Sequence, residues 1–229
     1  MKICIIPARG GSKRIPKKNI RVFCGKPMIS WSIEAAISSD IFDKVLVSTD
    51  DKEISQVARN YGAEVPFLRP KELADDYTGT IPVIKHSIEW VNNNISNVEY
   101  ACCIYPTAPF IENDYLVKGL ENLINLNADY SFSVTTFPYP IQRALKIIDS
   151  NQIRMFQPEN FNKRTQDFCE AYHDAGQFYW GKATSWINKK KLFEGNSIPV
   201  IIPRYKVQDI DNEEDWKRAE NMFKNLKNN

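Results

Sequence analysis

A doubly wound, mostly parallel α/β sheet is the fold class that the sequence predicts, and three observations predict it. Strand and helix signals alternate up to about residue 135. The first apolar run, Ile3-Cys4-Ile5-Ile6, breaks directly into a basic loop that contains two glycines. Tyr100 to Tyr105 is a continuous apolar run, as a central parallel strand needs when both its faces are covered. In such sheets ligands bind beyond the carboxyl ends of the strands, where the strand order reverses.

After the basic loop, Gly25-Lys26-Pro27 reads as a turn with proline at the first helical position. Met28 to Ser39 then carries Ile29, Trp31, Ile33, Ala36 and Ile37 at helical spacing. Lys44 to Thr49 is a second strand. Asp50-Asp51 caps a helix that runs to about Tyr61, and Gly62 ends it. Glu64 to Leu68 is expected as a short third strand, and a loop rich in Pro and Asp follows to about Gly79. Thr80 to Asn94 places Ile81, Ile84, Ile88 and Val91 on one helical face. Pro106-Thr107-Ala108-Pro109 ends the central strand, Asn113 to Leu126 is helical, and Asp129 to Thr136 is another strand.

The alternation breaks between Phe137 and Tyr172. Lys146-Ile147-Ile148 and Ile153-Arg154-Met155-Phe156 flank the polar turn Asp149-Ser150-Asn151-Gln152, which is a hairpin signal. The chain therefore reads as one domain over 1–229 with a small β-rich excursion over 137–172. The strand pattern returns at Gly176 to Trp180. A strand at Ile198 to Ile202 and a helix from Glu213 to about Leu226 complete the order.

Composition narrows the function classes. Of 229 residues, 43% are hydrophobic and 25% charged, as in an ordinary globular protein. The net charge is only +2, so the basic loop is a local concentration, and a nucleic-acid binder is not expected. No apolar stretch approaches the roughly 20 residues that span a bilayer. Lys2 leads into only four apolar residues before Pro7, which predicts no secretory leader and a cytoplasmic protein. Cys4, Cys24, Cys102, Cys103 and Cys169 show no Cys-x-x-Cys spacing and read as small hydrophobes in a reducing compartment.

The loop itself runs Pro7-Ala8-Arg9-Gly10-Gly11-Ser12-Lys13-Arg14-Ile15-Pro16-Lys17-Lys18-Asn19. Gly10 and Gly11 permit a sharp turn that points N–H groups at an anion. Arg9, Lys13, Arg14, Lys17 and Lys18 supply five cations, a density that suits a polyphosphate. The Walker spacing and Gly-x-Gly-x-x-Gly are both absent. The plainer alternative is a solvated basic surface; its position after a strand argues against that.

Two further clusters stand out. Asp209-Ile210-Asp211 precedes an acidic helix start, and in extended chain its two carboxylates share one side. Paired carboxylates suit a hard cation such as Mg²⁺ together with substrate phosphates. The alternative is capping by Asp211 or Asn212. The other cluster is Arg164-Thr165-Gln166 with Tyr172-His173-Asp174-Ala175-Gly176-Gln177-Phe178-Tyr179-Trp180. Arg164 could hold a carboxylate through its fork, and the aromatics suit either a sugar pocket or the core. His86, within a helix, reads as structural or solvated.

In this order, Pro7-Ala8-Arg9-Gly10-Gly11-Ser12-Lys13, Pro16-x-Lys18-Asn19, Val47-Ser48-Thr49-Asp50, Leu68-Arg69-Pro70-x-Glu72-Leu73-Ala74, Pro106-Thr107-Ala108-Pro109, Arg164-x-Gln166 and Asp209-Ile210-Asp211 resemble the acylneuraminate cytidylyltransferase family, the CMP-sialic acid synthetases. The resemblance covers nearly the whole chain. The segment Tyr172 to Gly181 resembles the pseudaminic acid branch in particular. Tyr105 stands where CMP-sialic acid synthetases usually have Gln, and Asp174-Ala175-Gly176 where they usually have Asn-Gly-Ala. A more aromatic pocket with fewer hydroxyl contacts would suit pseudaminic acid.

The resemblance implies a Rossmann-like fold of the nucleotide-diphospho-sugar transferase type. It implies CTP and a nonulosonic acid as substrates, Mg²⁺ as cofactor, and a homodimer formed through the 137–172 excursion. Ala8, Arg9, Gly10, Gly11, Ser12, Lys18, Asn19, Arg69 and Thr78 would hold CTP, with Lys18 offsetting charge on pyrophosphate and Asn19 reading cytosine. Arg9, Lys18 and Asp211 would be catalytic, and Asp209 and Asp211 would hold the metal. Tyr105, Arg164, Gln166, Tyr172, His173 and Phe178 would meet the sugar. The competing readings are a synthetase for N-acetylneuraminate or legionaminate, a sugar 1-phosphate nucleotidyltransferase, and a nucleotide-binding regulator without turnover.

Overall fold

A computed structural model describes residues 1–149 and 151–227; Ser150, in the expected polar turn, lies outside the described residues. β1 (Lys2–Pro7) leads into the basic loop. β2 (Val22–Phe23) and β3 (Lys26–Pro27) form a small antiparallel turn ahead of α1 (Met28–Ser38). Pro27 is the residue before that helix rather than its first residue, a shift of one from expectation. β4 (Lys44–Ser48), α2 (Lys52–Asn60), α3 (Thr80–Asn94), β5 (Tyr100–Ile104), α4 (Asn113–Asn125) and β6 (Tyr130–Thr136) continue the alternation. The hairpin of β7 (Leu145–Ile147) and β8 (Ile153–Met155) follows, then β9 (Tyr172–Lys182), α5 (Ala183–Ile187), β10 (Ser197–Ile201) and α6 (Glu213–Lys227).

The six-stranded sheet has the order β10-β6-β9-β5-β1-β4. β1 pairs in parallel with β4 on one side and β5 on the other, so the winding reverses at its carboxyl end. That reversal opens the crevice in which doubly wound sheets bind ligands. β6 and β10 are parallel to each other, while β9 runs antiparallel between β5 and β6.

Strand alternation divides the core. Cys4, Ile6, Cys102, Phe178 and Trp180 face α1 and α4, where Ile29, Ile33, Leu116 and Leu120 close over them. Ile3, Ile5, Cys103 and Tyr179 face α3 and α5, against Ile84, Ile88 and Trp186. A third cluster joins Ile15, Phe23 and Phe110 to Ile210, Trp216 and Phe223. It clamps the basic loop and the segment before α6 into one body, at roughly 1.5–3 kcal/mol for each large side chain fully buried.

Local signals explain the helix ends. Asp51 caps α2 by accepting from Glu53 N at 2.7 Å and Ile54 N at 3.0 Å, and Gly62 (φ +92°) stops the chain after it. Asn212 caps α6 through Glu214 N at 2.9 Å and Asp215 N at 3.0 Å, and Asp215 reaches back to the N–H groups of Asp211 and Asn212. The cap is thus Asn212, which leaves the Asp211 carboxylate free of that task.

Glu64 to Leu68 is not a strand. It makes only two isolated bridges, Leu46 to Glu64 and Thr49 to Leu68, because Pro66 between them has no N–H for a ladder. Of the five cysteines, Cys4, Cys102 and Cys103 are buried, Cys24 is partly so, and Cys169 is exposed. No helix is long and apolar enough to cross a membrane among the described residues. The excursion exposes Leu145, Ile147, Ile153, Phe156 and Phe161, each at least 58% accessible, and so has no core of its own.

Candidate active site

The loop after β1, the ends of β4 and β5, the segment from Arg69 to Thr80 and the approach to α6 surround one cleft of about 440 Å³. Arg9, Ser12, Lys13, Arg14, Lys18 and Asn19 line it from the basic loop. Arg69, Thr78, Tyr105 and Asp211 line it from elsewhere in the chain. Residues up to two hundred positions apart thus converge where the winding reverses.

Asn19, Lys18, Arg14 and Arg69 are placed by specific contacts. Asn19 is buried, and its side-chain amide donates to Arg9 O at 3.0 Å, which braces the loop across its own curve. Lys18 Nζ donates to Ile210 O at 2.6 Å and lies 3.8 Å from Asp211 Oδ1. Burial pulls the Lys18 ammonium below its ordinary pKa, while the charges of Asp211 and Asp209 act against that pull. Arg14 Nη2 lies 2.8 Å from Asp211 Oδ1. Arg69 is buried; its Nε donates to Ser48 Oγ at 3.1 Å and its Nη2 to Ser48 O. Desolvation lowers the Arg69 pKa to about 10, with Asp50 opposing and Arg9 adding to the shift.

The glycines act differently from the sequence expectation. The Gly10 N–H is taken by Asp50 Oδ1 at 3.0 Å, so it is not held open for an anion. What Gly10 supplies is room: a Cβ there would lie 2.7 Å from Asp51 Oδ2. A Cβ on Gly11 would meet nothing within 4 Å. Ala8 is buried and its N–H donates to Ser48 O at 2.9 Å, so its side chain cannot reach the cleft.

Of the two aspartates, Asp211 lines the cleft and Asp209 does not, although Asp209 is close enough to Asp211 and Lys18 to feel their charges. Desolvation, then the charge of Asp211, raises the Asp209 carboxyl above its ordinary pKa. A pair of hard oxygen donors that repel each other fits a divalent cation completed by phosphate oxygens. No group of three acidic, His or Cys side chains stands ready to hold a metal alone among the described residues.

The sugar-side expectations divide. Tyr105 lines the cleft and shares a hydrogen bond of 2.9 Å with Thr80 Oγ1. Its ring lies 5.2 Å from that of Tyr179, whose hydroxyl donates to Asp174 Oδ2 at 2.5 Å. Phe178 is a correction: its side chain is 0% exposed and packs in the core, on the sheet face opposite Tyr179. His173 lies away from the cleft, in a separate groove beside α6, with its ring 4.8 Å from that of Phe137. Arg164 is spent on a bidentate pair with Asp167, both contacts at 2.9 Å, and Gln166 is exposed nearby. Tyr172 is exposed and donates to Glu170 at 2.6 Å. None of these four lines the cleft.

Lys13 and Arg14 line the cleft as two of the five cations of the loop, and Asp76, Thr80 and Thr107 line it without being marked by the sequence. The position of Asp76 two residues before Thr78, in a loop already rich in acid, was the available signal.

Fold and cleft together define a doubly wound α/β protein built to hold a polyanion at its winding reversal. The model of the cytidylyltransferase family matches residues 3–201, and the chain belongs to that family. A pseudaminic acid cytidylyltransferase of Campylobacter jejuni is 45% identical over 97% of this chain and 96% of its own length. The CMP-N,N'-diacetyllegionaminic acid synthase of Legionella pneumophila is 30% identical over 96% of this chain and 95% of its own. A CMP:2-keto-3-deoxy-manno-octonic acid synthetase complexed with CTP shares the fold, with a TM-score of 0.72 at 15% identity over 98% of this chain and 99% of that one.

Proposed function

We propose that this chain couples CTP to pseudaminic acid, giving CMP-pseudaminic acid and pyrophosphate. The observation that carries the proposal is the convergence of Arg9, Ser12, Lys18, Arg69 and Asp211 on one cleft, in a chain 45% identical to a protein of that activity. The anomeric hydroxyl of the sugar attacks the α-phosphorus. A P–O bond forms to the sugar, the bond to the β-phosphate oxygen breaks, and the hydroxyl proton passes to solvent. Arg9, Lys13 and Lys18 bind the triphosphate and offset the charge that grows on leaving pyrophosphate. Arg69 stiffens the end of β4 and adds positive potential there. Asn19 is the candidate for the cytosine edge, although its amide N–H₂ already braces Arg9.

Asp209 and Asp211 would hold Mg²⁺. When bound, it supplies charge neutralisation at the phosphates and lowers the pKa of the attacking hydroxyl. Tyr105, with Thr80 behind it, forms the sugar end of the cleft. Arg164, Gln166 and Tyr172 would serve a second subunit, because all three sit on or beside the excursion and none faces its own cleft. The exposed apolar surface of the excursion supports a homodimer. A cytoplasmic site fits a chain whose substrate is CTP.

The test is a panel of purified nonulosonic acids with CTP and Mg²⁺, assayed for pyrophosphate release. Pseudaminic acid should be the best substrate. Preference for N-acetylneuraminate or legionaminate would replace the substrate assignment. Release with none of them would remove the activity.

A further inference from the structure

The turn from Asp75 to Thr78 is tied to the phosphate cradle by charge. Asp76 Oδ1 lies 2.7 Å from Arg9 Nη1, and Asp76 Oδ2 contacts Lys13 Nζ. Arg9 Nη1 also donates to Asp75 O at 2.6 Å. Asp75 Oδ1 accepts from Tyr77 N at 2.9 Å and Thr78 N at 2.6 Å, so Asp76 is presented by a built turn. Arg9, Lys13 and Asp76 all line the cleft, and neither cation pairs with another carboxylate among the described residues. A carboxylate therefore already occupies the two cations that an arriving phosphate would use.

We propose that Asp76 is a resident counter-anion of the cradle, displaced when the nucleotide's polyphosphate arrives and returning as pyrophosphate departs. This rests on the assignment of Arg9 and Lys13 to phosphate under the proposed function. Any ligand that touches these cations must first displace Asp76, so all such ligands bind more weakly by the same factor. A ligand without phosphate carries no such penalty. The effect speeds pyrophosphate release and keeps stray phosphate off the empty cradle. It also couples arrival of the polyphosphate to movement of the turn that carries Thr78.

The test is calorimetric binding of inorganic pyrophosphate and, separately, of cytidine to the full chain, to Asp76→Asn and to Asp76→Glu. Two exposed ion pairs set the scale, so Asp76→Asn should bind pyrophosphate about 3- to 10-fold tighter. The gain should shrink in high salt. Cytidine binding should not change, and Asp76→Glu should stay near wild type. If Asp76→Asn misfolds, Asp76→Ser carries the same expectation. Unchanged or weaker pyrophosphate binding in folded Asn and Ser variants would overturn the counter-anion role while leaving the cradle standing. Equal tightening of cytidine would overturn it too. Failure of wild type and variants alike to bind pyrophosphate would instead overturn the cradle assignment.

Discussion

Replacing Gly10 with alanine tests how the cradle is built. The added Cβ would lie 2.7 Å from Asp51 Oδ2 and 3.0 Å from Asp51 Cβ, well inside normal contact. Asp51 cannot yield freely, because its other oxygen caps α2 through Glu53 N and Ile54 N. Pushing it aside costs the cap, about 1 kcal/mol. Strain in the loop adds a similar amount, so Gly10→Ala should lose about 1–2 kcal/mol in all. For a chain of this size each kcal/mol lowers Tm by about 2–4 °C. Calorimetric melting of the wild type and Gly10→Ala gives the first number. The second comes from the same substitution in an Asp51→Gly background, where both close contacts vanish and the cap is replaced at a cost of a few tenths of a kcal/mol. There Gly10→Ala should cost little, a non-additivity expected of touching residues. Equal losses in the two backgrounds would refute the steric reasoning.

Asp211→Ala should abolish turnover while the fold holds, since Asn212 and not Asp211 caps α6; circular dichroism and pyrophosphate release read the two parts. Lys18→Arg should lower kcat by about 10²–10³-fold, because a fork cannot replace an ammonium seated on Ile210 O; a single-turnover assay measures it. The Asp209 carboxyl is raised in the folded state, so folding takes up protons between its ordinary pKa and the raised one, and stability falls as pH rises through that window. Asp209→Asn should therefore melt higher than wild type at neutral pH in the absence of metal, and the gap should close below the ordinary carboxylate range. Ile147→Asp with Ile153→Asp should give a monomeric mass by light scattering at micromolar protein, with pyrophosphate release reduced.

Much of this architecture is legible in sequence because helix and strand periods differ. Ile84, Ile88 and Val91 mark α3, and Tyr100 to Ile104 marks β5, without any tertiary knowledge. The direction of β9 is not legible: a strand's own residues do not say which way its neighbours run. Nor do they say which face is which, so nothing in the run Gln177-Phe178-Tyr179 shows that Phe178 packs toward α1 and α4, on the sheet face away from Tyr105 and Tyr179. Glu64 to Leu68 misled because its pattern fits a strand while Pro66 denies it the ladder. The cations of the cradle are visible as a run of charge. Their partners are not, because Asp76 is more than sixty positions away in sequence and meets Arg9 only once the chain has wound.

The reversed strand has a consequence for how the chain is made. β9 fills the gap between β5 and β6, so the edge of β5 away from β1 has no partner until Lys182 has left the ribosome. At about 5–20 residues per second, the stretch from Ile104 to Lys182 takes on the order of 4–16 s to synthesise. Through that interval the apolar margin Tyr100–Ile104 stands bare, a natural client for a chaperone and the place where a stalled nascent chain would begin to aggregate.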